Sequence, residues 1–454
     1  MSVIDRTRLS ALIARERATH AARNPASAEE YQAADHLFGR VPMTWMNKWA
    51  GGFPLYLESA RGNRITDVDG HTYIDFSLGD TAAMAGHSPG PTVAAIQERA
   101  ADLGGITTML PTEDAEWVAD ELSCRFGLPK WSFTLSATDA NRWALRLARL
   151  VTGRHKVAAF SYGYHGTVDE TFAVLDPETG LTVNRPGSVG PQVDVSATTR
   201  AAEFNDLDSV ERALSGGNVA VLITEPALTN IGIVLPEPGF LAGVRELCDI
   251  HGTLLLIDET HTISAGPGGC TQAWDLRPDI VVVGKAIGGG VPSGAYGLTA
   301  EIADRVLASE AADIVDVGGV GGTLAGNALS TAAMRATLDE VLTTTAFDHM
   351  TALGAAFAEG VGQVLLDADL PWTVSRLGAR AEYRFAYPAP RTGTAAAAAH
   401  DGELEEYLHL YLSNRDVLMT PFHNMALMCP DTTATDVEVH TELFAEAIAE
   451  VCGQ

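Results

Sequence analysis

The sequence has little positive charge. Its 30 Lys and Arg residues face 58 Asp and Glu residues, which gives a formal net charge of −28 at pH 7. Nucleic acids and anionic membranes bind proteins through basic surfaces. The composition therefore predicts no nucleic-acid partner and no membrane partner, while it leaves the fold open.

Cysteines and long apolar runs are also scarce. The five cysteines are odd in number and form no C-x-x-C pair, which argues against a disulfide framework or a cysteine zinc site and favours a cytoplasmic location. No apolar run approaches the roughly 18 to 20 residues that a membrane span requires. Residues 1–20 carry Leu9, Leu12 and Ile13 at helical spacing, but Arg and Glu residues are interspersed throughout this segment. We therefore predict neither a signal peptide nor a membrane span.

Two familiar site motifs are missing as well. The 13 histidines show no H-E-x-x-H or comparable spacing, so no metal site is predicted. The glycine-rich stretch after Gly284 is not a Walker A loop, because Asp279 stands where that loop needs glycine and Ala286 where it needs Ser or Thr.

What is present predicts a large α/β protein. The 454 residues exceed the size at which single cores usually stop growing, and 46% of them are hydrophobic. We expect an N-terminal segment over residues 1–79, with a helix and a small antiparallel hairpin around Asp69-Gly70, that forms part of the small domain. A large domain over residues 80–327 and a smaller C-terminal domain over residues 328–454 would follow.

Residues 80–327 alternate between buried-strand and helical patterns, which is typical of an α/β sheet. The predicted strands are Ser132–Leu135, Val157–Phe160, Val219–Thr224, Thr253–Ile257 and Ile280–Val283, and the predicted helices are Pro91–Asp102, Glu113–Phe126, Ala140–Val151, Asp208–Leu214 and Phe240–His251. A strand pair near Ala381–Ala386 and Leu418–Met428 is expected later, and the low-complexity run Thr392–His400 is interpreted as a loop or a helix start.

Two of these strands end in a single charge. Asp258 follows Leu254–Ile257, and Lys285, one of only four lysines, follows Ile280–Gly284. Charges at the carboxyl ends of parallel strands point into the crevice where open α/β sheets bind ligands. Buried charges of this kind need partners, because desolvating an unpaired charge costs several kcal/mol.

Pyridoxal 5'-phosphate (PLP) would pair with both charges. Its aldehyde needs a lysine to form a Schiff base, and its pyridine nitrogen needs a carboxylate to stay protonated. Lys285 and Asp258 are therefore predicted as the catalytic pair. The alternative is a lysine that merely ends a strand.

Further candidates lie near other strand ends. Ser136, Ala137 and Thr138 stand at a predicted helix N-terminus, where free N–H groups can bind phosphate, although a plain helix cap is the alternative. The rings of Tyr164 and His165 follow the strand Val157–Phe160 and could stack on a planar cofactor or simply pack in the core.

Two more residues are weaker candidates. Glu225 ends the run Val219–Thr224 and would enter the same crevice, or be a solvated strand end. Thr323, in the glycine-rich run Asp316–Asn327, could contact a phosphate.

Together these segments resemble the class III PLP-dependent aminotransferases of fold type I, over nearly the whole chain. The matching motifs are D-x-D-G-x-x-Y-I-D-F at Asp67–Phe76, SATDAN at Ser136, YHG at Tyr164, EP at Glu225, DE at Asp258, GK-x-x-GGG at Lys285 and GT-x-x-GN at Gly322. The resemblance implies a large domain with a mostly parallel seven-stranded sheet and a smaller α+β domain.

The resemblance also implies roles for individual residues. Lys285 would hold the cofactor as a Schiff base and Asp258 would pair with the pyridinium, while Glu225 would support the site. Ala137 and Thr138 would bind the phosphate, and Tyr164 would stack on the ring. The threonine that matches Thr323 reaches the phosphate of the neighbouring subunit's cofactor in this family, so a homodimer with shared active sites is implied.

The chain departs from the family pattern in several places. Ala137 and Asp139 replace residues of the usual S-G-T-E-A, and Thr260 stands where many relatives have Val, which gives the ring's second face a polar neighbour. The regions where relatives carry a carboxylate-binding arginine look aromatic. The predicted substrate pocket comprises Trp45, Trp49, Phe422 and His423, with Arg380 or Arg384 as the carboxylate clamp.

These features predict transamination, in which Lys285 moves a proton while an amino group passes from a bulky or aryl amine, or a β-amino acid, to a keto acid such as pyruvate or 2-oxoglutarate. The same machinery is compatible with an aminomutase resembling glutamate-1-semialdehyde aminomutase or with an amino-acid racemase. A catalytically silent binding protein on this scaffold is a further alternative.

Overall fold

The computed structural model describes residues 4–189, 193–309 and 319–453. The chain forms two compact units. Unit 1 comprises residues 1–88, 348–389 and 399–454, and unit 2 comprises residues 89–347 and 390–398. The domain limits predicted at residues 79 and 327 stay a prediction, since compact units need not coincide with domains.

The helices and strands are numbered in chain order. The α-helices are α1 Arg6–Arg23, α2 Pro25–Ala33, α3 Gly90–Gln97, α4 Glu113–Phe126, α5 Ala137–Thr152, α6 Leu207–Leu214, α7 Phe240–His251, α8 Gly269–Ala273, α9 Ala300–Leu307, α10 Ala328–Ala336, α11 Thr344–Asp367, α12 Gly393–Ala398, α13 Gly402–Ser413 and α14 Ala434–Cys452. The strands are β1 Leu57–Arg61, β2 Arg64–Asp67, β3 Thr72–Asp75, β4 Lys130–Thr134, β5 Lys156–Phe160, β6 Ala173–Leu175, β7 Thr182–Asn184, β8 Thr199–Ala202, β9 Val219–Thr224, β10 Leu254–Asp258, β11 Ile280–Gly284, β12 Gly294–Leu298, β13 Thr373–Leu377, β14 Arg380–Arg384, β15 Val417–Leu418 and β16 Met425–Leu427.

Unit 2 is built on a seven-stranded sheet in the order β4-β12-β11-β10-β9-β5-β8. Only β12 runs antiparallel to its neighbours, and the pairs from β11 to β8 are parallel. Every residue of β5, β9 and β11 is buried, as the short continuous aliphatic runs predict for a sheet covered on both faces. The predicted α/β fold with a mostly parallel seven-stranded sheet is confirmed.

Successive residues of one strand serve opposite faces of this sheet. Val221 and Ile223 pack with helices α5 and α9, whereas Leu222 packs with helices α6 and α7. This alternation is the period of two that a strand imposes on its side chains. The two resulting cores hold β9, β10 and β11 side by side, so that their carboxyl ends lie at one edge.

Unit 1 contains two smaller sheets. Strands β1, β2 and β3 form the antiparallel element predicted around Asp69-Gly70, and β15 pairs parallel with β3. Gly70 has a φ of +86°, a conformation that glycine adopts without the cost of a side chain. The later sheet has the order β13-β14-β16, which confirms the strand pair predicted near Ala381–Ala386 and Leu418–Met428.

Two details differ from the predicted elements, and a third decides between two predicted alternatives. The N-terminal helix is divided into α1 and α2, because Pro25 begins the second helix and cannot continue the first. The helix predicted over Pro91–Asp102 changes at Glu98 from α-helical to π-helical winding. The run Thr392–His400, interpreted from the sequence as a loop or a helix start, contains the short helix α12. Across the described ranges, no helix combines the length and the apolar character needed to cross a membrane.

Candidate active site

Lys285 follows the last residue of β11 and is half-buried. Its φ is +50°, and Gly284 and Gly289 stand at the two ends of the helical turn Lys285–Gly288. Left-handed backbone at a non-glycine residue costs about 1 kcal/mol or more, and such strain is concentrated at functional sites. The lysine Nζ lies 2.6 Å from Nε2 of His261.

Asp258 ends the neighbouring strand β10 and is 3% exposed. One carboxylate oxygen accepts hydrogen bonds from Asn141 Nδ2 at 2.8 Å and contacts His165 Nδ1 at 3.0 Å, and the other accepts from the Thr260 N–H at 3.1 Å. Burial raises the pKa of Asp258, but the bonds from His165, Thr260 and Asn141 hold it below its ordinary value. The carboxylate is therefore a buried anion at neutral pH.

The start of helix α5 forms a third part of the site. Ser136 is its N-cap and accepts a hydrogen bond from the Asp139 N–H at 3.2 Å. The N–H groups of Ala137 and Thr138 lie in the first turn, where a helix offers no carbonyl partner of its own. Thr138 Oγ1 accepts from the Thr167 N–H at 3.2 Å. A Cβ on Gly166 would lie 1.9 Å from that Oγ1, so only glycine allows this approach. The predicted phosphate-binding helix start is thus closely packed.

Glu225 comes directly after β9 and is 2% exposed. It accepts a hydrogen bond from the Tyr164 N–H at 3.2 Å and another from the hydroxyl of Thr229. Burial raises the pKa of Glu225 to about 6. The half-buried ring of Tyr164 lies 6.4 Å from the ring of His261, centroid to centroid.

Buried polar atoms test whether PLP fits these residues. Within the part of the chain that the structure describes, Nε2 of His165 and Oδ1 of Asn141 are buried without a hydrogen-bond partner. No Lys or Arg side chain in the described ranges forms an ion pair with the anionic Asp258, whose contact at 3.0 Å is the His165 ring. A protonated pyridine nitrogen would supply the missing positive charge, so the residues present fit the cofactor.

The predicted substrate-pocket residues lie in unit 1. The rings of Trp45 and Phe422 meet edge to face at 6.0 Å, and Lys48 lies over the Phe422 ring at 5.2 Å. Phe422 also contacts the ring of His423 at 4.9 Å. Trp49 and Lys48 line a cavity of about 470 Å³. These aromatic residues are therefore gathered into one region of the unit.

The predicted carboxylate clamp is a buried strand residue. Arg380 is 1% exposed on β14, and its guanidinium donates a hydrogen bond to Thr81. Arg384, on the same strand, is also buried. The roles of both arginines and of the aromatic residues remain predictions.

Thr323 is exposed in the turn that precedes α10. The glycine-rich run in which it was predicted begins at Asp316, and residues 316–318 lie outside the described ranges. Its contact with a cofactor of a second subunit also remains a prediction.

The sequence interpretation missed three residues of this region. Asn141 binds Asp258, while His261 and Thr229 join Lys285 to Glu225 through hydrogen bonds. His261 carried one detectable signal, since it follows the D-E pair by only one intervening residue and a strand end directs nearby polar groups to the crevice.

Comparison with known proteins places this geometry in a family. Residues 45–440 match the model of "Aminotransferase class-III". A solved glutamate-1-semialdehyde-aminomutase from Pseudomonas aeruginosa PAO1 is 47% identical, with a TM-score of 0.95 and coverage of 99% of both chains, and one such structure contains PMP. The glutamate-1-semialdehyde 2,1-aminomutase of Anaeromyxobacter dehalogenans (strain 2CP-C) is 32% identical over 408 residues, 88% of this chain and 92% of that protein. An omega-transaminase from Sphaerobacter thermophilus is 27% identical, with a TM-score of 0.84 and coverage of 94% and 98%.

The comparisons correct the predicted reaction. Transfer of an amino group from a bulky amine to a keto acid is wrong as the main function, because the relatives at 47% and 32% identity are aminomutases. The error has a physical source. In the predicted roles, the lysine, the aspartate and the helix start would serve the cofactor in both reactions, so these motifs do not discriminate between them.

The comparisons show the cofactor and the family. The predicted PLP dependence is confirmed, and the substrate is a small molecule. The described residues contain no group of three or more His, Cys, Asp and Glu side chains placed to hold a metal ion. The match over residues 45–440 and the full-length likeness to solved members show that the chain belongs to the class III aminotransferase family of PLP-dependent enzymes.

Proposed function

We propose that this protein is an aminomutase that moves an amino group between adjacent carbons of one small substrate, as in a glutamate-1-semialdehyde 2,1-aminomutase. The observation that carries the proposal is the 47% identity to the Pseudomonas aeruginosa aminomutase over 99% of both chains. The omega-transaminase is much less similar, at 27% identity.

PLP, when bound, supplies an aldehyde that takes up the amino group and a ring that delocalises electrons. Asp258 would hold the pyridine nitrogen protonated, because its carboxylate stays ionised among three hydrogen-bond donors. The helix start at Ala137 and Thr138 would bind the phosphate through backbone N–H groups. Tyr164 would lie against the ring, and Glu225 would orient the loop that carries Tyr164 through its backbone N–H.

Lys285 would have two tasks. Its amine would join the cofactor aldehyde in the resting enzyme, and it would then carry a proton between substrate carbon and cofactor once substrate has displaced it. The strained turn after β11 fixes where the lysine side chain begins, so the amine returns to the same position in each step. An aminomutase needs this proton transfer twice in one turnover, because a proton is removed from one substrate carbon and a proton is delivered to the neighbouring carbon.

The test is turnover without an acceptor. Purified protein loaded with PLP or PMP is mixed with glutamate 1-semialdehyde alone, and 5-amino-4-oxopentanoate is measured by chromatography. We expect product in the absence of any keto acid. Dependence on added pyruvate or 2-oxoglutarate, with stoichiometric formation of alanine or glutamate, would contradict the proposal.

Replacement of the lysine gives a second measurement. Lys285→Ala should lower turnover by about 10²- to 10⁴-fold, the usual contribution of a positioned acid–base group. Lys130→Ala is the matched control, because Lys130 is exposed at the start of β4 in the same unit. Equal activities of the two variants would remove Lys285 from the mechanism.

We also propose a cytoplasmic homodimer. Among the described residues no two cysteines form a disulfide, which suits a reducing compartment. Unit 2 exposes large apolar side chains at the end of the π-helical segment Glu98–Leu103 and in the loop that follows it, with Leu103 at 62%, Met109 at 85% and Leu110 at 72%. The backbone of this loop accepts a hydrogen bond from the first turn of α10, close in sequence to Thr323. We propose that a second copy of the chain packs on this apolar surface, which would bring Thr323 to a site shared by the two subunits.

The dimer proposal is tested by mass in solution. Leu110→Asp should shift the protein toward the monomer mass in light scattering, because burial of a charge opposes association. Ile250→Asp is the control, since Ile250 is 66% exposed on α7 of the same unit. A monomeric wild-type protein, or equal masses for both variants, would overturn the proposal.

A further inference from the structure

A continuous chain of hydrogen bonds leads away from Lys285. Its amine lies 2.6 Å from His261 Nε2, and His261 Nδ1 lies 2.8 Å from the Thr229 hydroxyl. That hydroxyl donates to the Glu225 carboxylate. His261, Thr229 and Glu225 are each 5% exposed or less, so water does not compete for these bonds.

The donors and acceptors of this chain have one consistent order. Because the single hydroxyl hydrogen of Thr229 is used toward Glu225, the hydroxyl oxygen accepts from His261. The imidazole therefore carries its hydrogen on Nδ1, which leaves Nε2 as an acceptor for an N–H of Lys285. A carboxylate at the far end of such a chain stabilises positive charge on the imidazole.

We propose that His261 is a positioning residue and proton acceptor for Lys285, and that Thr229 and Glu225 hold it in the required tautomer. One proton passes from Nζ to Nε2, the lysine becomes a neutral amine, and the imidazolium is balanced by the Glu225 carboxylate through Thr229. The reverse transfer restores the ammonium. The inference rests on the proposed role of Lys285 at the cofactor, but it does not depend on which amino-group transfer the enzyme performs.

Other charged groups lie around this chain and enter any pH profile. Asp258 and Glu259 come from the same strand end as His261, and Tyr164 faces the His261 ring. Both carboxylates are engaged elsewhere, Asp258 by Asn141 and Glu259 by the backbone and side chain of Thr271.

Two further groups approach from the part of the chain between β5 and β8, His165 after β5 and Arg185 after β7. Arg185 lies near Glu225 and Tyr164, and burial lowers its pKa. His165 is held by Asp258. Neither occurs in the hydrogen bonds that join Lys285 to Glu225.

The experiment measures the lysine without any substrate. Full-length protein is freed of cofactor, pyridoxal 5'-phosphate is added, and the absorbance of the protein-bound cofactor is followed from pH 6 to 10. The recombination rate depends on the fraction of Lys285 that is a neutral amine. Lys285→Ala defines the background.

We expect His261→Gln to move the midpoint of this pH profile upward by one pH unit or more, so that recombination at neutral pH slows by at least tenfold. Gln keeps a hydrogen-bonding side chain but cannot take up the proton. His251→Gln is the control, because His251 pairs with Glu211 on the exterior of the same unit. An unchanged midpoint in His261→Gln would overturn the proposal, even if the rate fell uniformly.

Thr229 provides a second pair of variants with little change of shape. Thr229→Val removes the hydroxyl and should raise the midpoint, whereas Thr229→Ser retains it and should keep the wild-type profile. Equal profiles for Val and Ser would show that the chain to Glu225 has no role. No substrate is present in the recombination assay. Its outcome therefore tests the role of His261 whether or not the protein passes the aminomutase test.

Discussion

The charge of Asp258 rests on individual hydrogen bonds. Burial alone raises the pKa of a carboxylate, and only the donors on His165, Thr260 and Asn141 reverse this for Asp258. The same residue without an oppositely charged partner would be costly in the folded protein. A buried carboxylate that stays ionised is what the proposed cofactor-binding role of Asp258 requires.

Asp258→Asn tests this charge. The amide cannot balance a protonated pyridine nitrogen, so we expect turnover to fall by about 100-fold or more and the bound cofactor to be lost more readily on dialysis. Asp275→Asn is the matched control, because Asp275 is exposed with a φ of +50°, which Asn tolerates. Wild-type cofactor retention and turnover in Asp258→Asn would contradict the assignment.

Glu225 makes stability depend on pH in a defined direction. Its folded pKa is about 6 against an ordinary 4.5, so the folded state binds the proton first as pH falls. The free energy of unfolding of the cofactor-free protein, relative to Glu225→Gln, should therefore rise by about 2 kcal/mol as pH falls from above 6 to below 4.5. Urea unfolding at several pH values measures this difference. A difference that is constant over the range would show that Glu225 titrates normally.

At the scale of elements, the start of helix α5 depends on one glycine. Gly166 has a φ of +72°, and a Cβ there would collide with Thr138 Oγ1. A helix N-terminus binds an anion only if the neighbouring backbone leaves its N–H groups accessible. The contact between Gly166 and Thr138 therefore fixes the position of both the loop between β5 and β6 and the start of helix α5.

Gly166→Ala is expected to destabilise the protein more than Gly180→Ala. Gly180 has a φ of +67°, and a Cβ there would have nothing within 4 Å, so both variants carry the backbone cost and only Gly166→Ala adds the collision. The collision should lower the free energy of unfolding by a further 1 to 3 kcal/mol, roughly the cost of overpacking, and weaken cofactor retention. Thermal unfolding with and without PLP checks both effects, and equal losses in the two variants would refute the steric argument.

Elements with strong patterns were predicted closely. Glu113–Phe126, Val219–Thr224 and Phe240–His251 have the bounds predicted from the sequence. The division of the first helix at Pro25 and the winding change at Glu98 were missed. A π-helical turn has no periodic signal of its own, since its hydrophobic spacing differs little from that of the adjacent α-helix.

At the scale of the whole molecule, the excess of negative charge lowers the stability of the folded state. A net charge of −28 leaves many carboxylates without basic partners, and their mutual repulsion destabilises the folded state. Surface ion pairs such as Arg17–Glu406 oppose this trend only weakly. Salt ions that screen the repulsion between carboxylates should therefore stabilise the folded protein.

We expect the melting temperature to rise as ionic strength increases from about 0.01 to 0.15 M, which shortens the Debye length from roughly 30 to 8 Å. Differential scanning fluorimetry in sodium chloride measures the change, with an uncharged osmolyte at equal osmolarity as the control. A fall in melting temperature would mean that the surface ion pairs outweigh the repulsion.

The amino-acid sequence alone determined the sheet and the cofactor, and it singled out Lys285 and Asp258 as candidates to bind that cofactor, because buried strands and their terminal charges are written in consecutive residues. Only the tertiary structure decided how Lys285 is paired. His261 is 24 residues from Lys285 and 32 from Thr229, and these side chains meet because β9, β10 and β11 align their carboxyl ends. Contacts across strands depend on how the sheet is assembled, and no local pattern of residues specifies them.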